Sequence, residues 1–370
     1  MTSTPVQVLL DAQSLTTVVD GSGTGTYVRG LISGLQRSRP DIALSVLASP
    51  EARLDGTHLV PVHRFNQRPR ARLMEHAARL PLDVRRQRHR TDGAVFHNPS
   101  FHAPWGMRTP WVQTLHDVIP LVFDAPDLAA LRARWQRFGP RYRQASAVIA
   151  VSRDAADEGI RLLNLDPQRV HVALHGVSER YQPSANGPSD PPYLLVVSEF
   201  SARKGFAEAF AVNDALVDAG YPHRLVVAGR VHDGVKDDLA RLHAAARYPE
   251  RIDIQGFVPD LVALYQGATA FLMTSHYEGF GLPPLEAMAC GVPVVAFANT
   301  SVTEVVDGGG QLVPNGDVEA MTAAVRQLLD QPAAAAEARE RGIAHAAQFT
   351  WARSAAIHAD VYRSVAEAGR

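Results

Sequence analysis

Short apolar runs of strand length recur along the chain, separated by longer stretches with helical spacing. In the first half the runs are Val6–Ala12, Ala43–Ala48, Ala94–His97, Trp111–His116, Ala147–Ser152 and Val170–His175. In the second half they are Tyr193–Ser198, Arg224–Gly229, Arg251–Gly256, Thr269–Thr274 and Pro293–Ala298. Continuous runs rich in Val, Leu and Ile, rather than alternating ones, predict strands buried on both faces. Strands alternating with helices of ten or more residues then predict an α/β fold with parallel sheets. The Pro/Gly/Ser-rich stretch Gln182–Pro192 separates two such series, so the pattern predicts two Rossmann-like domains facing a cleft. Ligands of such sheets bind beyond the carboxyl ends of the strands, which directs the search to strand-to-helix junctions.

Composition sharpens this picture. At 370 residues and 46% hydrophobic the chain has ample material for two cores. The net charge of −1 gives no global pull towards nucleic acid. It hides a division: residues 1–185 carry 23 basic and 16 acidic residues, whereas 186–370 carry 14 and 22. Of 37 basic residues only Lys204 and Lys236 are lysine, so a lysine invites the question of why it is there. The single cysteine, Cys290, excludes an intramolecular disulfide and a multi-cysteine zinc site. With no visible signal peptide and no apolar run near the roughly 20 residues of a spanning helix, the expected location is cytoplasmic. Residues 64–90 hold nine arginines against Glu75 and Asp83. They fit either a basic amphipathic helix in peripheral contact with the inner membrane face or a solvated helix face.

The segment His276–Gly291, HYEGFGLPPLEAMACG, carries the most chemistry. After a predicted strand, Gly279 and Gly281 allow a ligand to approach the backbone, and Pro283 and Pro284 suit a first helical turn. Glu278 and Glu286 stand eight positions apart, and carboxylates so placed accept hydrogen bonds from sugar hydroxyls or complement a helix dipole. Arg203 and Lys204 follow another predicted strand. His116 ends a strand in the first half, and Gly21, Gly23 and Gly25 open its first helix. Glu304 fits either a ligand contact or a helix cap. No two aspartates are separated by one residue, and the histidines lack zincin spacing, so no metal site is expected.

The string from His276 to Gly291 resembles the E-x7-E signature of the retaining glycosyltransferases of family 4, which have the GT-B fold. The resemblance extends to Gly21–Leu31, Thr114–Pro120, Arg203–Phe206, Val226–Arg230, Thr300–Asp317 and Phe349–Ala355, in the same order. It implies an acceptor-binding domain over 1–185, a nucleotide-sugar-binding domain over 186–348, and a final helix, 349–370, that packs back on the first domain. It also implies a retaining, metal-independent transferase that moves a mannose-like hexose from a donor such as GDP- or UDP-hexose to a glycan or lipid-linked acceptor, with no cofactor.

By the same resemblance Glu286 holds the donor ribose, and Glu278 contacts the transferred sugar. The amides of Gly279, Phe280, Gly281 and Leu282 approach sugar and diphosphate. Lys204, with Arg203, contacts the diphosphate. His116 binds the transferred sugar or positions the acceptor, and Gly23 and Gly25 belong to a loop near the diphosphate. Ser198 and Glu199 stand where many relatives have Gly or Arg, so a second phosphate-binding cation is either missing or supplied from elsewhere. Thr274 and His175 replace a commoner Pro and Asn. The rival readings are a nucleotide-sugar epimerase of the same fold, which needs no acceptor, and a non-catalytic sugar-nucleotide-binding protein.

Overall fold

A computed structural model describes residues 4–16, 22–48, 54, 57–61, 94–101, 103, 104, 107, 109–123, 128–185 and 187–369. The chain forms two compact units, one of residues 1–121, 132–176 and 351–370, the other of 122–131 and 177–350. They meet along the chain at Gly176 and Val177, and the Pro/Gly-rich stretch 182–192 lies within the second unit.

The first unit is built on a parallel sheet of seven strands in the order β3-β2-β1-β4-β5-β6-β7. These are β1 (Val6–Asp11), β2 (Ile42–Ala48), β3 (His58–Pro61), β4 (Val95–Asn98), β5 (Trp111–Leu115), β6 (Ala147–Ala150) and β7 (Val170–Val172). In sequence order the described helices are α1 (Gly23–Ser38), α2 (Ile119–Val122), α3 (Ala129–Phe138) and α4 (Arg153–Leu163). The strands are hydrophobic on both faces because both faces are covered. Val8, Leu10, Val46, Val112 and Ile149 pack towards α1, and Leu9, Leu47, Phe96, Leu115 and Val148 fill the opposite layer.

The last helix of the chain, numbered α12 (Trp351–Ala368) because it follows those of the second unit, belongs to the first unit. It lies against α1, where Gly30 and Gly34 leave room for Trp351. A Cβ on Gly30 would stand 2.0 Å from the Trp351 indole, and one on Gly34 would stand 2.5 Å from the Trp351 carbonyl oxygen.

A buried chain of hydrogen bonds also ties α12 down. Nδ1 of His358 is 2.8 Å from the Ser354 carbonyl, so it carries the proton and donates. Nε2 of His358 must then accept from the Tyr27 hydroxyl at 2.8 Å. Tyr27 in turn accepts from Thr114 at 2.9 Å, and Thr114 accepts from His97 Nε2 at 2.8 Å. His97 Nδ1 is left to accept from Tyr362 at 2.6 Å. With both imidazoles neutral, one direction satisfies every group in the chain. Burial pushes the His358 pKa down to about 4 and that of His97 well below its ordinary value, with His358 and His116 adding to the effect at His97.

The second unit carries a parallel sheet of six strands in the order β10-β9-β8-β11-β12-β13. These are β8 (Tyr193–Val197), β9 (Arg224–Ala228), β10 (Ile252–Gly256), β11 (Ala270–Met273), β12 (Val294–Ala298) and β13 (Gln311–Pro314). Its helices are α5 (Phe206–Asp218), α6 (Lys236–Ala245), α7 (Val262–Gly267), α8 (Leu282–Ala289), α9 (Thr300–Val306), α10 (Val318–Asp330) and α11 (Pro332–Ala346). Leu194, Val196, Leu225, Val227, Leu272 and Val295 form its core with Phe206 and Phe210 of α5 and Met321 and Val325 of α10. The expected α/β architecture of two Rossmann-like halves is thus present. Among the described residues no helix is long and apolar enough to cross a membrane. The Arg-rich segment 64–90 lies outside the described residues.

Candidate active site

In the second unit the chain runs from β8 outward through β9 and β10, then returns to place β11 on the other side of β8. The topological switch point therefore lies between β8 and β11, and their carboxyl ends flank the crevice where open α/β sheets bind ligands. The loop after β8 carries Arg203 and Lys204, and the loop after β11 carries Glu278.

Backbone contacts sew these loops together. The His276 amide donates to the Arg203 carbonyl at 2.8 Å, and the Thr274 hydroxyl donates to the Lys204 carbonyl at 3.0 Å. Gly205 makes the approach possible: its φ is +65°, and a Cβ there would lie 1.9 Å from the Thr274 carbonyl oxygen.

The side chains converge on one carboxylate. Lys204 Nζ donates to Glu278 Oε1 at 2.5 Å, and Arg203 Nη1 donates to Glu278 Oε2 at 3.1 Å and to the Tyr277 carbonyl at 2.8 Å. The Glu278 side chain is only 11% exposed and that of Lys204 only 12%. Burial alone would push the Glu278 pKa up, but Lys204 and Arg203 outweigh it and hold the carboxyl at about 2. Burial, with Arg203 beside it, pulls the Lys204 pKa down, and Glu278 only partly offsets this. The result is a charged cluster in a largely desolvated crevice, where each charge acts more strongly than in water. The Glu278 amide donates to the Thr300 hydroxyl at 3.1 Å, and its carbonyl accepts from Ser301 at 2.8 Å. Thr300 has a φ of +26°, a strained value for a β-branched residue.

Gly279, Phe280, Gly281 and Leu282 form the turn into α8. Gly281 caps the helix with φ +110°, and Leu282 is its first residue. The buried Phe280 ring meets Phe349 edge-on at 6.4 Å. Glu286 sits farther along α8 in a different setting. The Tyr265 hydroxyl donates to Glu286 Oε2 at 2.9 Å, and Tyr181, edge-on to Tyr265, also favours the ionised carboxylate. Burial raises the Glu286 pKa to about 7 despite both tyrosines and nearby Arg180. The loops thus bring Arg203, Lys204 and Glu278 together and give Glu286 separate partners.

His116 follows β5 in the first unit. Its Nε2 donates to the Pro99 carbonyl at 2.7 Å, which leaves Nδ1 as the lone-pair nitrogen. Burial lowers its pKa to about 4, so the ring is neutral at pH 7 and offers an acceptor. Tyr27 stands edge-on to it at 5.2 Å. Asp117 accepts from the Ile119 amide at 3.0 Å, at the start of α2. Gly23 and Gly25 occupy the first turn of α1, capped by Ser22, while Gly21 lies outside the described residues.

The sequence reading did not single out Tyr265, Tyr181, Arg180 and Thr300. Tyr265 looks like an ordinary apolar position of a short helix, and no spacing pairs it with Glu286. Glu199 lies 3.2 Å from His232, and Arg203 shares Glu278 with Lys204. Among the described residues no three His, Cys, Asp or Glu side chains gather as a metal would require.

Comparison with known proteins accords with this geometry. Residues 177–348 match the family described as "Glycosyl transferases group 1". Residues 21–180 match "Glycosyltransferase Family 4". The O-antigen chain mannosyltransferase B of Escherichia coli is 32% identical over 276 residues, which cover 70% of this chain and 71% of that protein. Among solved structures, sucrose-phosphate synthase from Thermosynechococcus elongatus superposes with a TM-score of 0.77 at 22% identity, covering 98% of this chain and 100% of that one. Anabaena HepE, solved with UDP and glucose, gives 0.72 at 20% identity, covering 97% and 100%. These two likenesses concern the GT-B fold.

Proposed function

The chain belongs to the group 1, family 4 glycosyltransferases, and from that premise we propose that it moves a hexose from a nucleotide diphosphate sugar to a glycan or lipid-linked acceptor with retention of anomeric configuration. The observation that carries this reading is the Lys204–Glu278–Arg203 cluster at the switch point of the second sheet. As the bond between the anomeric carbon and the phosphate oxygen breaks, negative charge builds on the leaving diphosphate. In this reading Lys204 and Arg203, held in place by Glu278, supply fixed positive charge to meet it, and prearranged electrostatics of this kind dominate many enzymic accelerations. They supply the neutralisation a divalent cation would otherwise provide, which supports a metal-independent reaction.

Glu278, ionised and held, accepts hydrogen bonds from the sugar hydroxyls and favours positive charge at the anomeric carbon. The acceptor hydroxyl oxygen attacks that carbon from the face the phosphate leaves, and its proton passes to the departing phosphate oxygen. The products are the glycoside and a nucleoside diphosphate. Glu286 receives the ribose hydroxyls, and His116 Nδ1 accepts a hydrogen bond from a hydroxyl of the transferred sugar or the acceptor. A mannosyl donor is favoured by the likeness to an O-antigen mannosyltransferase, and the acceptor is then a growing cell-surface glycan.

The test is a thermal-shift screen of UDP-glucose, GDP-mannose and dTDP-glucose, followed by assay of nucleotide release with mannosyl glycans as acceptors. The expected result is stabilisation by one donor and release that depends on acceptor. A donor converted to its epimer without acceptor contradicts the proposal.

A further inference from the structure

The two glutamates of the candidate site have opposite surroundings. Glu278 is clamped by two cations. Glu286 is as deeply buried, at 7% exposure, but the side chain bonded to its carboxylate is the neutral hydroxyl of Tyr265. The nearby cation Arg180 donates through Nη2 to the Tyr181 hydroxyl at 2.7 Å and offsets the burial of Glu286 only in part. Tyr181 and Tyr265 meet edge-on at 5.7 Å, so Tyr181 packs against the ring whose hydroxyl holds the carboxylate. Neutral donors stabilise a carboxylate less than charged ones do.

We propose that Tyr265 is a positioning residue that aims the buried Glu286 carboxyl group and sets its proton state, so that nucleotide-sugar binding is coupled to loss of a proton from it. The inference rests on the reading of Glu286 as the ribose-binding carboxylate and adds what controls it. A ribose diol offers two hydroxyl donors, which a carboxylate accepts and a carboxylic acid accepts poorly. Binding therefore selects the ionised form, and affinity rises with pH through the carboxyl group's own titration, which burial places at about 7.

The other elements around α8 do not supply a competing group. The β11 and β12 segments Ala270–Met273 and Val294–Ala298 carry no ionisable residue. Cys290, after α8, has its thiol pushed up to about 12 by burial and by Glu286, and stays neutral. The charged and titratable groups on α9 and α11 are Glu304, Glu337, Arg339, Glu340, Arg341 and His345. Arg339 donates to the Gly291 and Ser184 carbonyls, His345 to the Val305 carbonyl, and Arg341 pairs with Glu337.

The experiment is calorimetric titration of the intact protein with UDP-glucose, GDP-mannose and dTDP-glucose at pH 6, 7 and 8. The bridging diphosphate of these probes has no proton to lose near neutrality. For the probe that binds, Kd should fall about tenfold from pH 6 to pH 8, as expected for a group titrating at about 7. Buffers of different ionisation enthalpy should show about half a proton released per site at pH 7. Tyr265→Phe removes a donor to the carboxylate, so its midpoint should move to higher pH: binding weakens at pH 7 and recovers towards wild type above pH 8. Glu286→Gln should bind weakly and without pH dependence. A wild-type Kd that is flat from pH 6 to 8 with no proton released overturns the inference and leaves the donor reading standing. A Tyr265→Phe defect of equal size at every pH reduces Tyr265 to packing and also overturns it. Failure of all three probes to bind wild type at any pH removes the donor reading, and this inference with it.

Discussion

Lys204 Nζ lies 2.5 Å from Glu278 Oε1, across 74 positions of sequence, and both side chains are nearly buried. Burying such a pair costs desolvation at both ends, so its net value to stability is small. The acid side of the stability profile reports it. The Glu278 carboxyl titrates at about 4.5 when free and about 2 when folded. Its contribution is therefore complete above pH 4.5 and lost as pH falls towards 2. The lowered Lys204 pKa acts on the alkaline side, where stability rises as the lysine loses its proton. Glu278→Gln should flatten the melting temperature between pH 5 and pH 3 relative to wild type, and it should lower kcat more than it raises KM for donor.

Gly205 is the hinge of the same arrangement. Ala there must adopt φ +65° and place its Cβ 1.9 Å from a backbone oxygen. Gly205→Ala should destabilise the protein by about 2 kcal/mol or more, by analogy with other strained backbone sites, and displace Lys204. Urea denaturation together with donor titration checks both effects.

The hydrogen-bond chain from Tyr362 to Ser354 makes a second stability prediction. Tyr27→Phe leaves His358 Nε2 without its donor and deprives Thr114 of an acceptor, at a cost of about 1–3 kcal/mol. The change is measurable as a lower urea midpoint by tryptophan fluorescence, to which Trp351, 6.3 Å from the Tyr27 ring, contributes. His358 is neutral in the fold down to about pH 4 but titrates at 6.5 when unfolded. The unfolded chain thus binds the extra proton first, and stability falls as pH drops from 6.5 towards 4. His358→Gln should remove part of that slope.

His116 makes a kinetic prediction. Its ring stays neutral until about pH 4, so it does not titrate in the working range. His116→Asn should reduce kcat/KM yet leave the shape of the pH–rate profile between pH 6 and 8 unchanged. A lost or displaced limb in that profile would show that the imidazole carries a proton in turnover.

Much of the fold is visible in the sequence because fully buried parallel strands leave continuous apolar runs, and most described strands fall within them. The exceptions have physical reasons. β13 is four residues after a glycine triplet and ends in proline, too brief to show a period. β3 is equally short and begins with histidine. The run at Val170–His175 forms strand only over Val170–Val172, where it pairs with β6. Helix α1 begins at Gly23, among the glycines that open it in the sequence, and Ser22 caps its first turn. In the candidate site, Lys204 and Glu278 were legible singly through the family resemblance. Their contact was not, because it depends on β8 and β11 being neighbours in space. Tyr265 left no sequence trace, since a buried aromatic residue in a short helix reads as core.

The kinetics of Lys204→Ala test the central claim most directly. With the donor identified by thermal shift, transfer to a glycan acceptor is measured for wild type and variant, with folding checked by circular dichroism. Loss of a fixed cation at the leaving diphosphate should lower kcat/KM by about 100-fold or more, a size typical of removing one electrostatic stabiliser. A folded Lys204→Ala protein that transfers sugar at a rate near wild type would contradict the account.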